Sequence, residues 1–126
     1  MELRQFALYV SRVRVGLGIT MMVSPRVAFG PFYGREVTDP AATAITRMMG
    51  ARDAALGAGA AIAVGERTGA ENWISMLAVV DGLDAIVNLA SPRIGWRGKL
   101  LGVLGAVSCV GHITLAKRLR ANLETE

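Results

Sequence analysis

Apolar residues along the chain fall into four long blocks: Leu3–Val23, Ala41–Val64, Trp73–Ala90 and Trp96–Ala116. Each is close to the ~20 residues that an α-helix needs to cross a ~30 Å hydrocarbon core. The blocks have sharp edges. Ser24-Pro25 stops the first and Ser91-Pro92 stops the third, because the residue before a proline is driven out of the helical region. Asp39-Pro40 opens the second, with Asp39 as N-cap and Pro40 at the first helical position. Gly65-Glu66-Arg67-Thr68-Gly69 is a short polar turn. Alanine, leucine and methionine are plentiful, and no period-two alternation competes with helix. The pattern predicts helices at 3–23, 41–64, 72–90 and 96–117. Links this short make neighbouring helices antiparallel. The expected fold is all-α, an up-down antiparallel bundle of four transmembrane helices that takes up residues 1–126 as a single domain.

The one long link, 24–40, carries Phe29, Phe32 and Tyr33. It reads either as a simple loop or as an aromatic segment at the membrane interface. Ser24-Pro25-Arg26 and Ser91-Pro92-Arg93 form a faint repeat at the ends of the first and third blocks, such as a duplicated hairpin leaves.

Composition narrows the class. At 126 residues with 52% hydrophobic and 19% charged positions, the chain is one domain and too apolar to be disordered. The single Cys109 excludes a disulfide scaffold and Cys-x-x-Cys redox chemistry. Net charge is +4, but the basic residues are divided between block interiors and block ends. That division suits lipid headgroups and argues against nucleic acid. Arg12 and Arg14 interrupt the first block, so no cleavable signal peptide is expected and the first helix should stay in the mature protein. Orientation is nearly balanced. Arg4, Arg67, Lys117, Arg118 and Arg120 lie at one end, against Arg26, Arg35, Arg93, Arg97 and Lys99 at the other. The basic C-terminal cluster inclines the reading toward a multi-pass protein of the cell membrane with both termini cytoplasmic.

Charges inside the blocks are the candidate chemistry. The first carries Arg12 and Arg14, the second Arg47, Arg52 and Asp53, the third Asp81, Asp84 and Asn88, and the fourth His112. A charged side chain facing lipid at the bilayer centre costs ~3 kcal/mol or more, so these groups should turn inward and pair. Asp81, Asp84 and Asn88 stand at three- and four-residue steps, on one helix face. Helix rise puts Arg52 near Asp81 and lets Arg47 reach Asp84 or Asn88. Arg12 and Arg14 lie on opposite stripes, Tyr9-Arg12-Gly16-Ile19 and Ala7-Ser11-Arg14-Gly18, and periodicity does not choose between them. Gly98, Gly102, Gly105, Cys109, His112 and Ala116 form a small-residue seam that lets backbones approach closely. His112 should therefore face protein, at a depth roughly 12 Å from Asp84 by helix rise.

No His-x-x-x-His, Glu-x-x-His or phosphate-binding glycine loop is present, and one histidine cannot supply a bis-histidine haem site. No metal and no cofactor are expected.

Three stretches carry a resemblance. They are Arg14-x-Gly-Leu-Gly, Arg47-Met-Met-Gly-Ala-Arg52-Asp53-Ala-Ala-Leu-Gly57 and Asp81-x-x-Asp84-Ala85. Together they resemble a family of small, actinobacterial-type four-helix integral membrane proteins of unknown function, and more distantly the DoxX-like four-helix membrane proteins. The resemblance implies a fold and a bacterial inner-membrane location, and no activity.

The leading functional expectation is a polytopic membrane protein whose buried Arg/Asp network binds a lipid or a quinone-like amphiphile, with Arg47 and Arg52 holding an anionic headgroup. Alternatives are an accessory subunit or assembly factor of a larger membrane complex, and an intramembrane enzyme using Asp81 or Asp84 as acid/base with His112 assisting. The weight of the residues is against an enzyme. Beside membrane lipids, the expected partners are an amphipathic small molecule and a second copy or a larger complex. On fractionation the protein should sediment with membranes and need detergent for recovery; recovery in the soluble fraction would overturn most of this reading.

Overall fold

The computed structural model describes residues 2–125. It is helical throughout: α1 (Leu3–Val23), α2 (Pro25–Tyr33), a 3-10 turn (Gly34–Thr38), α3 (Pro40–Glu66), α4 (Ala70–Ala90) and α5 (Trp96–Thr125). Among the described residues, α1, α4 and Trp96–Leu123 of α5 are long and apolar enough to cross a membrane. α3 is long enough, but Arg47, Arg52 and Asp53 lower its apolar character and it is not one of the three.

The helix starts and stops follow local chemistry. Asp39 accepts from the backbone N–H groups of Ala41 (2.9 Å) and Ala42 (3.1 Å), and Pro40 begins α3. Arg67 and Gly69, both in the left-handed region, turn the chain between α3 and α4. At the far end of α4, Lys99 donates to the carbonyls of Leu89 (2.6 Å) and Ser91 (2.7 Å), which satisfies orphaned C-terminal acceptors. α5 runs past the expected stop at 117, because Ala116–Leu123 holds good helix formers and no glycine or proline.

The link 24–40 is the largest departure from expectation. It is not a simple loop but a nine-residue helix followed by a 3-10 turn. Pro25 serves as the first residue of α2, so Ser24-Pro25 is a corner between two helices and not an exit into coil. Ser91-Pro92, its sequence counterpart, leads into a turn instead.

Two antiparallel pairs make up the body. In the α1–α3 pair, a Cβ on Gly18 would sit 2.5 Å from the Gly50 carbonyl oxygen, and one on Gly57 would sit 2.8 Å from the Ser11 oxygen. In the α4–α5 pair, a Cβ on Gly105 would lie 3.3 Å from the Asp81 carbonyl, and one on Gly102 would lie 3.0 Å from the Asn88 side chain. The small-residue seam of α5 is therefore occupied within the chain, against α4. The two pairs meet most fully at the end that holds the start of α1 and the C-terminal half of α5. There Ala7, Ala60, Val64, Ile74, Leu77 and Leu115 form the apolar core. At the opposite end α2 fills the gap between the pairs, and its Tyr33 ring lies beside Gly98.

Large apolar side chains point outward along the long helices. Ile86 (63%), Val107 (65%) and Val110 (64%) are more exposed than Asp81 (8%) or Arg14 (8%). This is the reverse of a water-soluble bundle, and it suits helices whose outer faces meet hydrocarbon.

The close approach of α1 and α3 generates a prediction. Gly50→Ala drives a methyl into the Gly18 backbone and should lower stability by about 1–3 kcal/mol. Gly16→Ala meets nothing within 4 Å and should be neutral or mildly stabilising. Thermal unfolding of the detergent-solubilised variants reads the difference; equal midpoints would refute the glycine contact.

A buried arginine–aspartate network as candidate functional site

The buried stripe of α1 is Ala7, Ser11, Arg14, Gly18 and Met21, so the helix turns Arg14 inward and Arg12 outward. Gly18 and Gly57 let α1 close on α3, and Gly105 lets α5 close on α4 at Asp81. These approaches bring charges from four helices into one layer.

Arg14 is its hub. Its Nη1 donates to Asp81 Oδ1 of α4 at 2.6 Å, and its Nη2 donates to Asp53 Oδ1 of α3 at 3.3 Å. Arg52 Nε donates to the same Asp53 oxygen at 3.1 Å. Arg52 then grips Asp84 with both terminal nitrogens, at 3.2 and 2.6 Å. The second Asp81 oxygen accepts from Ser108 Oγ at 2.6 Å and is 2.8 Å from His112 Nδ1. An ionised carboxylate only accepts, so Nδ1 carries the proton in this contact. Asn88 Nδ2 donates to the Asp84 backbone carbonyl at 2.9 Å, and the Tyr33 hydroxyl donates to Asn88 Oδ1. One hydrogen-bonded chain thus runs from His112 through Asp81, Arg14, Asp53 and Arg52 to Asp84. Tyr33 and Asn88 adjoin its last member.

Burial is uneven along this chain. The Arg14 and Asp81 side chains are each 10% exposed, whereas Arg52 and Asp84 reach 36% and 30%. Arg14 Nε is buried with no hydrogen-bond partner among the described residues. Burial pushes the Tyr33 phenol above its usual value; the hydrogen bond with Asn88 opposes that shift and the nearby Asp84 charge adds to it. Tyr33 therefore stays a hydrogen-bond donor at physiological pH.

Two cavities reach the network from different flanks. One, of about 420 Å³, lies between α2, α3 and α4 and touches Tyr33, Glu36, Arg52, Asp84 and Asn88. Its remaining walls include Phe29, Val37, Ile45, Met49, Val87 and Ile94. The other, of about 210 Å³, opens between α1 and α5 past Val10, Val13 and Leu17, onto Arg14, Asp53, Asp81, Ser108 and His112.

Of the nine residues singled out in the sequence, seven gather here: Arg14, Arg52, Asp53, Asp81, Asp84, Asn88 and His112. Arg12 and Arg47 do not; both are exposed. The expected pairings are redrawn accordingly. Asp81 takes Arg14 and not Arg52, and Asp84 takes Arg52 and not Arg47. The charge sum changes with them, from four cations against three anions to Arg14 and Arg52 against Asp53, Asp81 and Asp84. Sequence reasoning missed Ser108 and Tyr33. Ser108 stands four residues before His112, on the same face of α5, which was a usable signal. Tyr33 reaches Asn88 only because 25–33 is helical.

No family model, curated protein or solved structure matches the chain.

Removing one partner of a buried pair leaves the other charge uncompensated, at about 3–5 kcal/mol. Asp81→Asn should therefore lower the unfolding midpoint strongly. Arg12→Gln and Arg47→Gln, on exposed positions, should change stability by no more than about 0.5 kcal/mol. Thermal scans of the three variants in one detergent test the ranking, and a midpoint for Asp81→Asn equal to those of the arginine variants would contradict the network.

Proposed function

We propose that the chain is a four-pass membrane protein that holds the uncharged, hydrogen-bonding head of an amphiphile in the cavity between α2, α3 and α4. In this reading α3 crosses with the other three long helices. Two of its three inner charges are tolerated because Arg52 and Asp53 pair with α1 and α4, while Arg47 stays exposed one to two turns from the start of the helix. The termini share one end, which is taken as cytoplasmic. Membership of the small actinobacterial-type membrane family, distantly DoxX-like, is proposed on the motifs alone, whose Arg14, Arg52, Asp53, Asp81 and Asp84 are the network residues.

The observation that carries the reading is the lining of the cavity. At about 420 Å³ it is within the range of small-molecule sites, with apolar walls and a polar end at Tyr33, Asn88, Arg52 and Asp84. The polar end argues against the anionic headgroup expected from sequence. Arg52 is already gripped by Asp84 and Asp53, Arg47 is not among the lining residues, and Glu36 adds a negative charge to the wall. A carbonyl or hydroxyl head fits. Either accepts from Arg52 or, in place of Asn88, from Tyr33; a hydroxyl, as in an alcohol or a hydroquinone, also donates to Asp84 or Asn88.

An intramembrane acid/base role for Asp81 or Asp84 has less support. Both oxygens of each carboxylate already accept strong hydrogen bonds, from Arg14, Ser108 and His112 on Asp81 and from Arg52 on Asp84. A second reading, an accessory subunit of a larger membrane complex, rests on Arg12. It is exposed near the middle of α1, where lipid contact is costly and a partner's carboxylate relieves it. In that case a stoichiometric partner seen in mild detergent is lost with Arg12→Leu.

Binding of a decyl-substituted benzoquinone, measured by calorimetry on protein in nanodiscs, tests the main reading. Tyr33→Phe removes one neutral hydrogen bond and should weaken binding by about three- to tenfold. Met49→Trp fills the cavity and should abolish it. Decanoate, an anionic probe of equal tail length, should bind more weakly than the quinone. Unchanged affinity in both folded variants would sink the proposal.

A further inference from the structure

The outer face of the α4–α5 pair carries a second feature, separate from the network. A groove of about 490 Å³ runs between the two helices. Small side chains (Ala78, Gly82, Cys109 and Ala116) make its floor, and the exposed Val79, Leu83 and Ile113 make its rims. Gly82 keeps the floor low: a Cβ there would already lie 3.2 Å from Cys109 Sγ.

Its length and its ends identify an occupant. On α4 the groove extends from Ser75 to Ile86, and on α5 from Cys109 to Arg120. Eleven helical rises span about 16 Å. Because Gly82 faces Cys109, the two stretches are staggered and the whole groove covers about 22 Å; its apolar trough along α4, from Ser75 to Ile86, is the part that matches one leaflet of hydrocarbon, half of ~30 Å. Its lining is apolar along that length except at one end. There Ser75, near the start of α4, stands with Lys117 and Arg120 of α5, and no acidic side chain lines the groove. Lys117 and Arg120 are exposed at the end of the molecule that holds both termini, at headgroup depth.

We propose that this groove is a binding site for one acyl chain of an anionic phospholipid, whose phosphate is held by Lys117 and Arg120. The site rests on the membrane-spanning part of the proposed function and is independent of the amphiphile cavity. An annular lipid without charge selectivity needs only the apolar trough. The paired cations at one end add selection for a negative headgroup, worth roughly tenfold over a zwitterionic one. The chain lies against α4 over Gly82 while its glycerol backbone sits level with Ser75.

Native mass spectrometry of protein released from nanodiscs containing equal phosphatidylglycerol and phosphatidylcholine tests this. The wild-type protein should retain phosphatidylglycerol about tenfold more than phosphatidylcholine. Lys117→Gln with Arg120→Gln, both on exposed positions that leave the core intact, should bring the ratio to parity. Leu83→Trp, which obstructs the groove without touching its cations, should reduce retention of both lipids. Tyr33→Phe should leave the ratio unchanged, which separates this site from the quinone cavity. Equal retention of the two lipids by the wild type, or an unchanged ratio in the double glutamine variant, overturns the proposal even where quinone binding persists. Failure of the wild type to resist carbonate extraction from membranes overturns both.

Discussion

The Arg14–Asp81 ion pair is the contact on which the arrangement of the rest depends. Each helix pair is held internally by glycine-scale approach, α1 on α3 and α4 on α5. Between the pairs the apolar core fills only one end, and α2 wedges the other. In the middle the joint is ionic: Arg14 reaches from α1 to Asp81 on α4, and Arg52 from α3 to Asp84 one turn further along. Outside lipid, replacing such a pair with apolar side chains is often neutral or stabilising. In a bilayer, where apolar side chains have no preference for each other over lipid, a directional pair does what a greasy contact cannot. It sets one sliding register and one rotation of each helix pair against the other, because a shift of one turn re-pairs at most one arginine and leaves the other arginine and one aspartate uncompensated.

This also determines which parts were legible in the sequence. The long helices were readable, because block length and helix breakers are local properties, and Asp39-Pro40 behaves as its chemistry requires. The close-packing seam of α5 was readable for the same reason, since spacing alone places Gly102, Gly105 and His112 on one face. The choice between Arg12 and Arg14 was not local. Both stripes of α1 are equally plausible as patterns, and only the acids on α3 and α4 select one. The outward position of Arg47, by contrast, is a local property. Arg47 precedes Arg52 by five residues, which at ~100° each places the two about 140° apart, so they cannot share an inward face. The helix at 25–33 was hidden by its own composition, since two glycines, two prolines and three aromatics in or beside nine residues read as punctuation. Without that helix Tyr33 had no route to Asn88.

Redrawing the pairs changes what chemistry the layer supports. Four cations against three anions describes a site with positive charge to spare, ready for a phosphate or carboxylate. Two arginines against three aspartates, with every arginine already donating to two carboxylates, describes the opposite. An incoming anion must break an existing pair and leave an aspartate uncompensated, whereas a carbonyl or hydroxyl adds hydrogen bonds without altering the sum. The cations that do remain outward at the helix ends, Lys117 and Arg120 among them, are where the proposed lipid site meets its anion instead. Neutral head inside and anionic head at the rim follow from the same division of charge.

The hydrogen-bonded chain that crosses the layer invites comparison with a proton path, and its membership argues otherwise. A relay passes a proton through groups that gain and lose one in turn. His112 and Asp81 qualify at one end, and Asp84 with Tyr33 and Asn88 nearby could accept or orient one at the other. Between them stand Arg14 and Arg52, and a guanidinium does not give up its proton in a protein. Asp53, which joins the two arginines through a single oxygen, is isolated from both titratable ends by those cations. What the chain transmits is therefore position and field. Asp53 Oδ1 is shared by the two arginines, at 3.3 and 3.1 Å, so the half of the chain beside the smaller cavity and the half beside the larger one meet at one carboxylate oxygen. The arginines that block conduction are the parts that join the two halves.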